Sequence, residues 1–349
     1  MPVYPKAVKP GDTVGLVLPS SMIDENKLNE VIRAVSKLSL NCKVGRTAKR
    51  VIKMYTVQQM DIPNNEKLSL IPDKHQNEYL DYVCSGFMAG NPRNRAGDIN
   101  SFFADDTVDA IWCLRGGYSC AAIMPYLNYD LIRKHPKMIL GYSDITNVVM
   151  GIYQNANLVT YHAPMVTPNF VREDLLDDGQ IDSYTYHYFQ QFVMNDWNKV
   201  EITCPRDEPA ETLVGGSADG VIIGGNLDEI SCAVGTNYAY DTTGKIVFLE
   251  ETHEHVCKLD MALTHLINAG FFDKVRGVIF GQFDSCRNQT GNGKCGDFTF
   301  DRIIETRFKN APYPVIRHFA IGHQKQTTTI PVGASCHLDA DNCRLTIYR

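Results

Sequence analysis

The chain has 349 residues, of which 44% are hydrophobic and 21% are charged, and its formal net charge at pH 7 is −6. This composition is typical of a globular protein that is large enough for two domains. The acidic balance argues against a general binder of nucleic acid or anionic membranes, because no dominant basic field is present. No apolar run reaches the length of a membrane span, so a membrane partner is not expected either.

The start of the chain lacks the apolar core of a signal peptide, and the eleven cysteines are scattered without a C-x-x-C motif. Both observations favour reduced thiols and a cytoplasmic location. Cys286 and Cys295 flank a loop rich in glycine and asparagine. They form the pair nearest to metal or disulfide chemistry, although two unrelated loop cysteines are the simpler interpretation.

The first part of the chain alternates between strand and helix patterns. Residues 13–18 predict a buried strand, the apolar residues between 28 and 38 repeat at helical spacing, and a short strand follows near 42–44. Residues 45–85 are polar and poorly periodic, which predicts a long loop with at most one short helix. The elements predicted next are helices over 93–103 and 119–127 and strands over 108–114, 137–141 and 158–162. This alternation predicts a parallel sheet.

A polar and aromatic stretch separates this block from a second one. Residues 167–211 predict a linker with one helix around 183–194. Beyond it, the predicted elements are strands over 220–225, 245–249 and 277–281, a helix over 259–267 that ends at Gly270, and a strand pair over 333–338 and 344–348. The predicted organisation is an N-terminal domain over 1–170, a linker over 171–211 and a C-terminal domain over 212–349.

A serine stands at a sharp corner between a predicted strand and a predicted helix. Ser143 follows the apolar strand over 137–141, and apolar residues at helical spacing come after it. A serine at such a corner lies at the carboxyl edge of a sheet, where open α/β folds place their sites. The alternative is a helix N-cap, which is the commoner role of a serine at a turn. The pair Gly116-Gly117, after the strand over 108–114, also lets a backbone approach a ligand closely.

A serine needs a base to take its proton, and the base needs an acidic partner to orient it. Among the ten histidines, His323 lies in a glycine-flanked loop after a predicted strand, and Glu250 ends an apolar strand. Ordinary structural roles also exist, a loop histidine and a salt-bridge or cap glutamate. Ser143, Glu250 and His323 nevertheless follow the chain order nucleophile, acid, base that is known from α/β-hydrolases.

Five short runs carry a resemblance to a known family over nearly the whole chain. They are RGGY at 115–118, GYSDIT at 141–146, IGGNL at 223–227, FLEE at 248–251 and IGH at 321–323. In order and spacing they resemble the LD-carboxypeptidase family of serine peptidases (S66). The resemblance implies a Ser–His–Glu triad of Ser143, His323 and Glu250. It also implies an oxyanion hole formed by the backbone amides of Gly117 and Asp144.

The resemblance carries further expectations about fold and partners. It implies α/β architecture, with a Rossmann-like N-terminal domain that has a parallel sheet, a smaller β-rich α/β C-terminal domain, and an active site at the domain interface. It also implies a homodimer that needs no metal and no cofactor.

Two branches of the family differ in substrate. One removes the terminal D-alanine from murein tetrapeptides, and the other, the microcin immunity branch, cleaves the amide that joins a peptide's terminal aspartate to a nucleotide. The aromatic segment over 185–197 and the run over 235–251 resemble the immunity branch. Trp197 is the candidate for stacking on a nucleobase, with a hydrophobic anchor as the alternative. Asn226 is expected to hold the substrate's carboxylate or main chain.

Two other functions remain open at this stage. The chain could be a small-molecule binding module with the same fold that has lost catalysis, although all three triad positions are present. A metallo-hydrolase built on Glu251, His253 and His255 is a third hypothesis, since alternating residues of an extended segment can chelate a metal. No further ligand set accompanies these three residues.

Overall fold

A computed structural model describes residues 2–23, 25–48, 88–171, 176–177, 180–289 and 297–349. Most of the predicted loop over 45–85 lies outside the described residues, as does Cys295. The nine cysteines within the described ranges are all free, Cys286 among them.

The described chain alternates strands and helices in both halves. The strands are β1 (Thr13–Val17), β2 (Asn41–Val44), β3 (Ala110–Cys113), β4 (Met138–Gly141), β5 (Thr160–His162), β6 (Leu176–Asp177), β7 (Gln180–Ile181), β8 (Lys199–Thr203), β9 (Glu211–Val214), β10 (Ser217–Asn226), β11 (Lys245–Thr252), β12 (Gly277–Asp284), β13 (Val315–Arg317), β14 (Ile330–Val332), β15 (Ser335–Asp339) and β16 (Arg344–Tyr348). The α-helices are α1 (Glu25–Lys37), α2 (Pro92–Ala104), α3 (Tyr129–Lys134), α4 (Thr146–Ala156), α5 (Ser183–Phe189), α6 (Leu227–Ala233), α7 (Val256–Asn268) and α8 (Phe300–Phe308).

The N-terminal sheet has the strand order β14-β5-β4-β3-β1-β2. Strands β1 to β5 pair in parallel, which is the 2-1-3-4-5 order of doubly wound folds. Parallel strands end at the same edge of a sheet, so the loops after β1, β3 and β4 meet there. These loops carry Ser20, Gly117 and Ser143. The predicted Rossmann-like N-terminal sheet is confirmed.

The C-terminal sheet has eight strands in the order β8-β16-β15-β10-β11-β12-β13-β9. Its centre, β10 to β13, is parallel, and antiparallel strands flank it on both sides. The predicted β-rich α/β character of this half is confirmed. Glu250 lies near the carboxyl end of β11, beside the buried strands β10 and β12.

Two strands cross the predicted domain boundaries. Ile330–Val332 pairs antiparallel with β5, so a strand from the last part of the chain completes the edge of the N-terminal sheet. Lys199–Thr203, which the sequence places in the linker, pairs with β16 in the C-terminal sheet. Both pairings join segments that are far apart in the chain, and local periodicity carries no information about such partners.

Helix ends agree with local sequence signals, while two predicted helices take other forms. Gly270 ends α7 with a φ of +73°, and Phe271 N–H donates to the Leu266 carbonyl at 3.0 Å, as in a Schellman motif. Residues 120–126 form a 3₁₀ helix with Pro125 inside, since proline lacks the N–H that an α-helix needs. The linker helix is α-helical only to Phe189 and continues as a π-helix over Gln190–Met194.

The core consists of apolar side chains from both sheets and the helices that cover them. Trp112 on β3 is 1% exposed, and its indole N–H donates to the Pro164 carbonyl at 2.8 Å. A buried tryptophan needs such a partner for its polar atom. Among the described helices, none has the length and apolar character required to cross a membrane.

Gly224 allows β10 and β11 to pair closely, and we expect alanine there to destabilise the protein. Its φ is +148°, and a methyl group would overlap the Phe248 carbonyl oxygen. Gly235 also has a positive φ, +82°, but has open space around it. Gly235→Ala should therefore cost only the backbone strain, about 1–3 kcal/mol, whereas Gly224→Ala should cost about 1–3 kcal/mol more. Urea unfolding of both variants measures the difference, and equal losses would contradict the close pairing.

Candidate active site

The backbone at Ser143 distinguishes a nucleophile elbow from a helix cap. Ser143 has a φ of +64°, in the left-handed region that non-glycine residues rarely adopt. An N-cap residue has extended backbone and accepts a hydrogen bond with its side chain. Here the cap positions of the 3₁₀ turn over Ser143–Ile145 and of α4 belong to Tyr142 and Ile145, and neither makes a side-chain cap hydrogen bond. The corner has the geometry of an elbow.

Glycines next to the elbow make room for it. A methyl group on Gly116 would lie 3.0 Å from Ser143 Oγ, and one on Gly141 would lie 2.8 Å from Cγ2 of Ile145. The usual G-x-S-x-G elbow has a glycine where this chain has Ile145. Gly141, at the end of β4, therefore makes the space that the bulky isoleucine side chain requires.

His323 and Glu250 form a direct hydrogen bond. His323 Nδ1 lies 2.7 Å from Glu250 Oε2, and the glutamate is fully buried. Gly322 has a φ of +146°, and a methyl group there would lie 3.1 Å from Gln282 Cβ, so glycine lets the histidine loop (residues 321–324) approach β12. Since Nδ1 faces the carboxylate, Nε2 is the ring nitrogen left for proton transfer.

The charge of Glu250 sets the protonation of His323. Burial lowers the pKa of the imidazole, but the Glu250 carboxylate, through its charge and its hydrogen bond, more than offsets this effect. The pKa of His323 is therefore raised above its usual value. The carboxylate both orients the ring and stabilises the imidazolium that forms when the ring accepts a proton.

Tyr142 links the histidine loop to the serine corner. The ring centroids of Tyr142 and His323 are 4.8 Å apart, and Tyr142 directly precedes Ser143. On β10, Asn226 N–H donates to Thr146 Oγ1 at 3.0 Å, which brings the end of that strand to the start of α4. The residues on both sides of Ser143 in the chain therefore contact the C-terminal half, through His323 and Asn226. The triad of Ser143, Glu250 and His323 stays a prediction.

A second histidine, His162, lies next to Tyr142 and was not singled out from the sequence. His162 on β5 is 2% exposed, and its ring lies 5.7 Å from Tyr142 and 5.1 Å from Phe248. Burial lowers the pKa of His162 to about 4, so its ring is neutral at pH 7. Its position at the carboxyl end of a strand in the N-terminal sheet was the available signal.

The loops that carry the predicted oxyanion amides are tied together by the Asp144 side chain. Asp144 is 1% exposed and accepts hydrogen bonds from Ser20 Oγ and from Cys120 N–H, the latter at 3.0 Å. Gly117 has a φ of +140° and packs against the serines that follow β1. The segment of Gly116 and Gly117 thus lies beside Ser143, which Asp144 follows directly in the chain. Their role as amide donors stays a prediction.

Comparison with known proteins identifies the family. Residues 64–163 match the family model of the LD-carboxypeptidase N-terminal domain, and residues 219–338 match that of the LD-carboxypeptidase C-terminal domain. The two matches together span more than half of the chain. The chain belongs to the LD-carboxypeptidase family.

Individual LD-carboxypeptidase relatives fall in both predicted branches. The chain is 29% identical to the probable murein peptide carboxypeptidase of Bacillus subtilis, over 96% of this chain and 91% of that protein. It is 25% identical to the microcin C7 self-immunity protein MccF of Escherichia coli, over 75% of this chain and 80% of that protein. The structure of MccF in complex with glutamyl sulfamoyl guanosine superposes with a TM-score of 0.78 at 20% identity, covering 100% of this chain and 99% of that one. That likeness confirms the predicted fold.

The two predicted substrate-binding residues of this LD-carboxypeptidase lie inside the protein. Asn226 is 5% exposed; its Oδ1 accepts from Glu229 N–H at 3.2 Å, and its Nδ2 donates to Glu251 at 2.6 Å. Both ends of the amide are thus engaged in capping α6 and in holding Glu251. Direct contact of Asn226 with substrate stays a prediction.

Trp197 is 6% exposed and packs edge-on against Tyr4 and Phe192, at centroid distances of 5.9 and 5.1 Å. The guanidinium of Arg349 lies 6.0 Å from its ring. These contacts favour the hydrophobic anchor over the stacking platform. The stacking role of Trp197 is not tested by these contacts and stays a prediction.

The metal-site hypothesis finds no support among the residues that the structure describes, where no group of three or more metal-ligating side chains is assembled. Glu251 accepts hydrogen bonds from Asn226 and from Asp228 N–H, and His255 caps α7 by accepting from Cys257 N–H at 3.2 Å. His253 Nδ1 lies 2.7 Å from the hydroxyl of Thr252. The three side chains therefore have separate local partners.

A cavity of about 300 Å³ lies beside the histidine loop. It is lined by Gln324, the residue after His323, by Gln282 on β12, and by the rings of Phe280, Phe283 and Phe300. Amide groups and aromatic faces together suit a ligand with both polar and apolar parts.

We expect Trp197→Ala to lower stability by about 3–5 kcal/mol, because a large buried ring is removed, and to affect both branch substrates alike. Trp197→Phe keeps the contact with Phe192 and should lose less. Thermal unfolding and steady-state kinetics with both substrates measure these effects. A rise in KM for the nucleotide conjugate alone, at unchanged stability, would restore the stacking role.

Proposed function

We propose that this chain is a serine carboxypeptidase or amidase that hydrolyses an amide bond at the C-terminal end of a small peptide or peptide conjugate. The observation that carries the proposal is the Glu250–His323 hydrogen bond of 2.7 Å. The His323 ring lies against Tyr142, the residue directly before Ser143, and Ser143 has a left-handed backbone. A catalytically inactive binding module of the same fold is the alternative. It gives no reason for a buried, oriented histidine next to a strained serine.

The residues support the usual sequence of acyl transfer. His323 Nε2 takes the proton from Ser143 Oγ, and the oxygen attacks the scissile carbonyl carbon. The backbone N–H groups of Gly117 and Asp144 hold the negative oxygen of the tetrahedral intermediate, at about 3 kcal/mol for each donor in comparable sites. His323 then gives the proton to the leaving amine, and water hydrolyses the acyl-enzyme by the same route.

The relatives define two substrate classes for the proposal. The Bacillus subtilis relative is named as a murein peptide carboxypeptidase, and the MccF structure is a complex with glutamyl sulfamoyl guanosine. We include murein tetrapeptide, cleaved at its L,D-bond, and an aspartyl-nucleotide conjugate as alternative substrates.

Location and assembly belong to the same proposal. The free cysteines of the described ranges support a reducing, cytoplasmic environment. A homodimer and the absence of a required metal follow from the family resemblance alone.

Ser143→Ala should abolish hydrolysis of the true substrate, by at least about a thousandfold in kcat, because the nucleophile is lost. Ser39→Ala is a matched control, since Ser39 is exposed and also has a positive φ, of +60°. Mass spectrometry of products from murein tetrapeptide and from an aspartyl-adenylate-like conjugate measures both variants. Turnover that survives in Ser143→Ala would overturn the triad, and wild-type turnover of neither substrate would favour the binding module.

The acid limb of kcat/KM should report His323, which must be neutral to act as a base. Since its pKa is raised above 6.5, activity should fall as the pH drops through that raised value. Glu250→Gln removes the charge that raises the pKa and leaves the burial effect, so the limb should move to lower pH. The rate should also fall by roughly 10³–10⁴-fold, as in comparable triads. An unchanged limb in this variant would contradict the pairing.

A further inference from the structure

A buried arginine lies against the loop that carries Gly117. Arg95 on α2 is 1% exposed, and its guanidinium donates to the Pro19 carbonyl at 2.5 Å and to the Ser119 carbonyl at 3.3 Å. It also donates to the Ser119 hydroxyl at 3.2 Å. Since Pro19 follows β1 and Ser119 follows β3, one side chain joins two of the loops that meet at the edge of the N-terminal sheet.

The peptide group of Ser119 and Cys120 lies between two buried charges. Its carbonyl accepts from Arg95, and its N–H donates to the Asp144 carboxylate, whose two oxygens lie at 3.0 and 3.1 Å. The carbonyl and the N–H of a trans peptide point in opposite directions, so the guanidinium and the carboxylate bind the two ends of one planar unit. Hydrogen bonds to charged groups are stronger than those between neutral groups.

The backbone of Ser119 needs such contacts. Its φ is +86°, in the left-handed region that non-glycine residues rarely adopt. A conformation of this kind persists only where the surroundings determine it. Arg95 binds both the carbonyl and the hydroxyl of this residue, and it therefore helps to hold the strained backbone two positions after Gly117.

The loop after β1 connects these contacts to Gly117. The hydroxyl of Ser20 donates to the Asp144 carboxylate, and a methyl group on Gly117 would lie 3.0 Å from Ser20 Oγ. The serine therefore packs directly against the glycine. Arg95 binds the same loop at Pro19. The position of Gly117 relative to the elbow thus depends on both Arg95 and Asp144.

We propose that Arg95 is a positioning residue for the hydrolysis: with Asp144 it binds the Ser119–Cys120 peptide from both ends and so fixes the Gly117 segment relative to the elbow. This inference rests on the proposed function, because the N–H groups of Gly117 and Asp144 are the proposed oxyanion donors. Two donors stabilise one oxyanion only if both lie about 3 Å from it. A shift of about 1 Å in the Gly117 segment would weaken binding of the transition state more than that of the substrate.

The kinetic test compares wild type, Arg95→Lys and Arg93→Lys. Lysine keeps the charge but lacks the planar fork that binds the Pro19 and Ser119 carbonyls together. Arg95→Lys should therefore lose about 10–100-fold in kcat, with KM changed less than about threefold. Arg93 lies on the same helix and is exposed, so Arg93→Lys should match wild type. An unchanged kcat in Arg95→Lys, or a loss that falls on KM alone, would overturn the proposal.

A tetrahedral inhibitor distinguishes a misplaced oxyanion hole from a general loss of structure. In a boronic acid analogue of the cleaved peptide, the Ser143 oxygen adds to boron and its proton passes to His323, which leaves a tetrahedral adduct with an oxygen for the oxyanion hole. In Arg95→Lys the Kd of this inhibitor should rise by about the factor lost in kcat/KM, whereas the Kd of the product peptide should stay within about threefold. Equal changes in both Kd values would show a structural role alone and overturn the proposal.

A double-mutant cycle in the free energy of unfolding needs no substrate. Arg95→Lys weakens the contact with the carbonyl of the Ser119–Cys120 peptide, and Asp144→Asn weakens the contact with its N–H. The double variant should therefore lose less stability than the sum of the two single losses. Additive losses would overturn the inference, even in an enzyme with full Ser143-dependent turnover. Coupled losses in a protein that hydrolyses neither substrate would support the joint binding of this peptide and overturn only the proposed function.

Discussion

The left-handed backbone of Ser143 is the constraint on which the site depends. A non-glycine residue with a φ of +64° carries strain of about 1–3 kcal/mol, which persists only where the surroundings determine the conformation. Asp144 supplies much of that determination, since its buried carboxylate is bonded to Ser20 and Cys120. Gly141 also contributes, because it makes room for the Ile145 side chain at the same corner. Ser143 itself is half-buried, with its hydroxyl beside Gly116.

The second half of the site depends on burial of a carboxylate beside a histidine. Glu250 is fully buried, and its hydrogen bond to His323 is the contact that stabilises its charge. His162 shows what burial does without that partner, because its pKa falls to about 4 while that of His323 rises. Both rings touch Tyr142. The carboxylate, more than the degree of burial, therefore decides which imidazole can act as a base near neutral pH.

The interface between the two halves is polar as well as apolar. Asn226 caps one helix and holds Glu251, and Glu229 accepts a hydrogen bond from Asn147 across the interface. Buried carboxyl groups are costly unless each is bonded or protonated. The side-chain amides of Asn226 and Asn147 donate to Glu251 and Glu229, and the second of these hydrogen bonds joins the start of α4 to the C-terminal half.

The sequence by itself determined the alternating α/β pattern, the two-block organisation and the family, because strand and helix periodicity and short motifs are local properties. It also singled out Ser143, Glu250 and His323 by residue type and order. Only the tertiary structure decided that Ser143 is no helix cap, that Trp197 is enclosed by Tyr4 and Phe192, and that a strand from 330–332 completes the first sheet. Each of these outcomes depends on a partner distant in the chain or on a torsion angle. Periodicity shows that a side chain is buried, but it does not show which side chain lies against it.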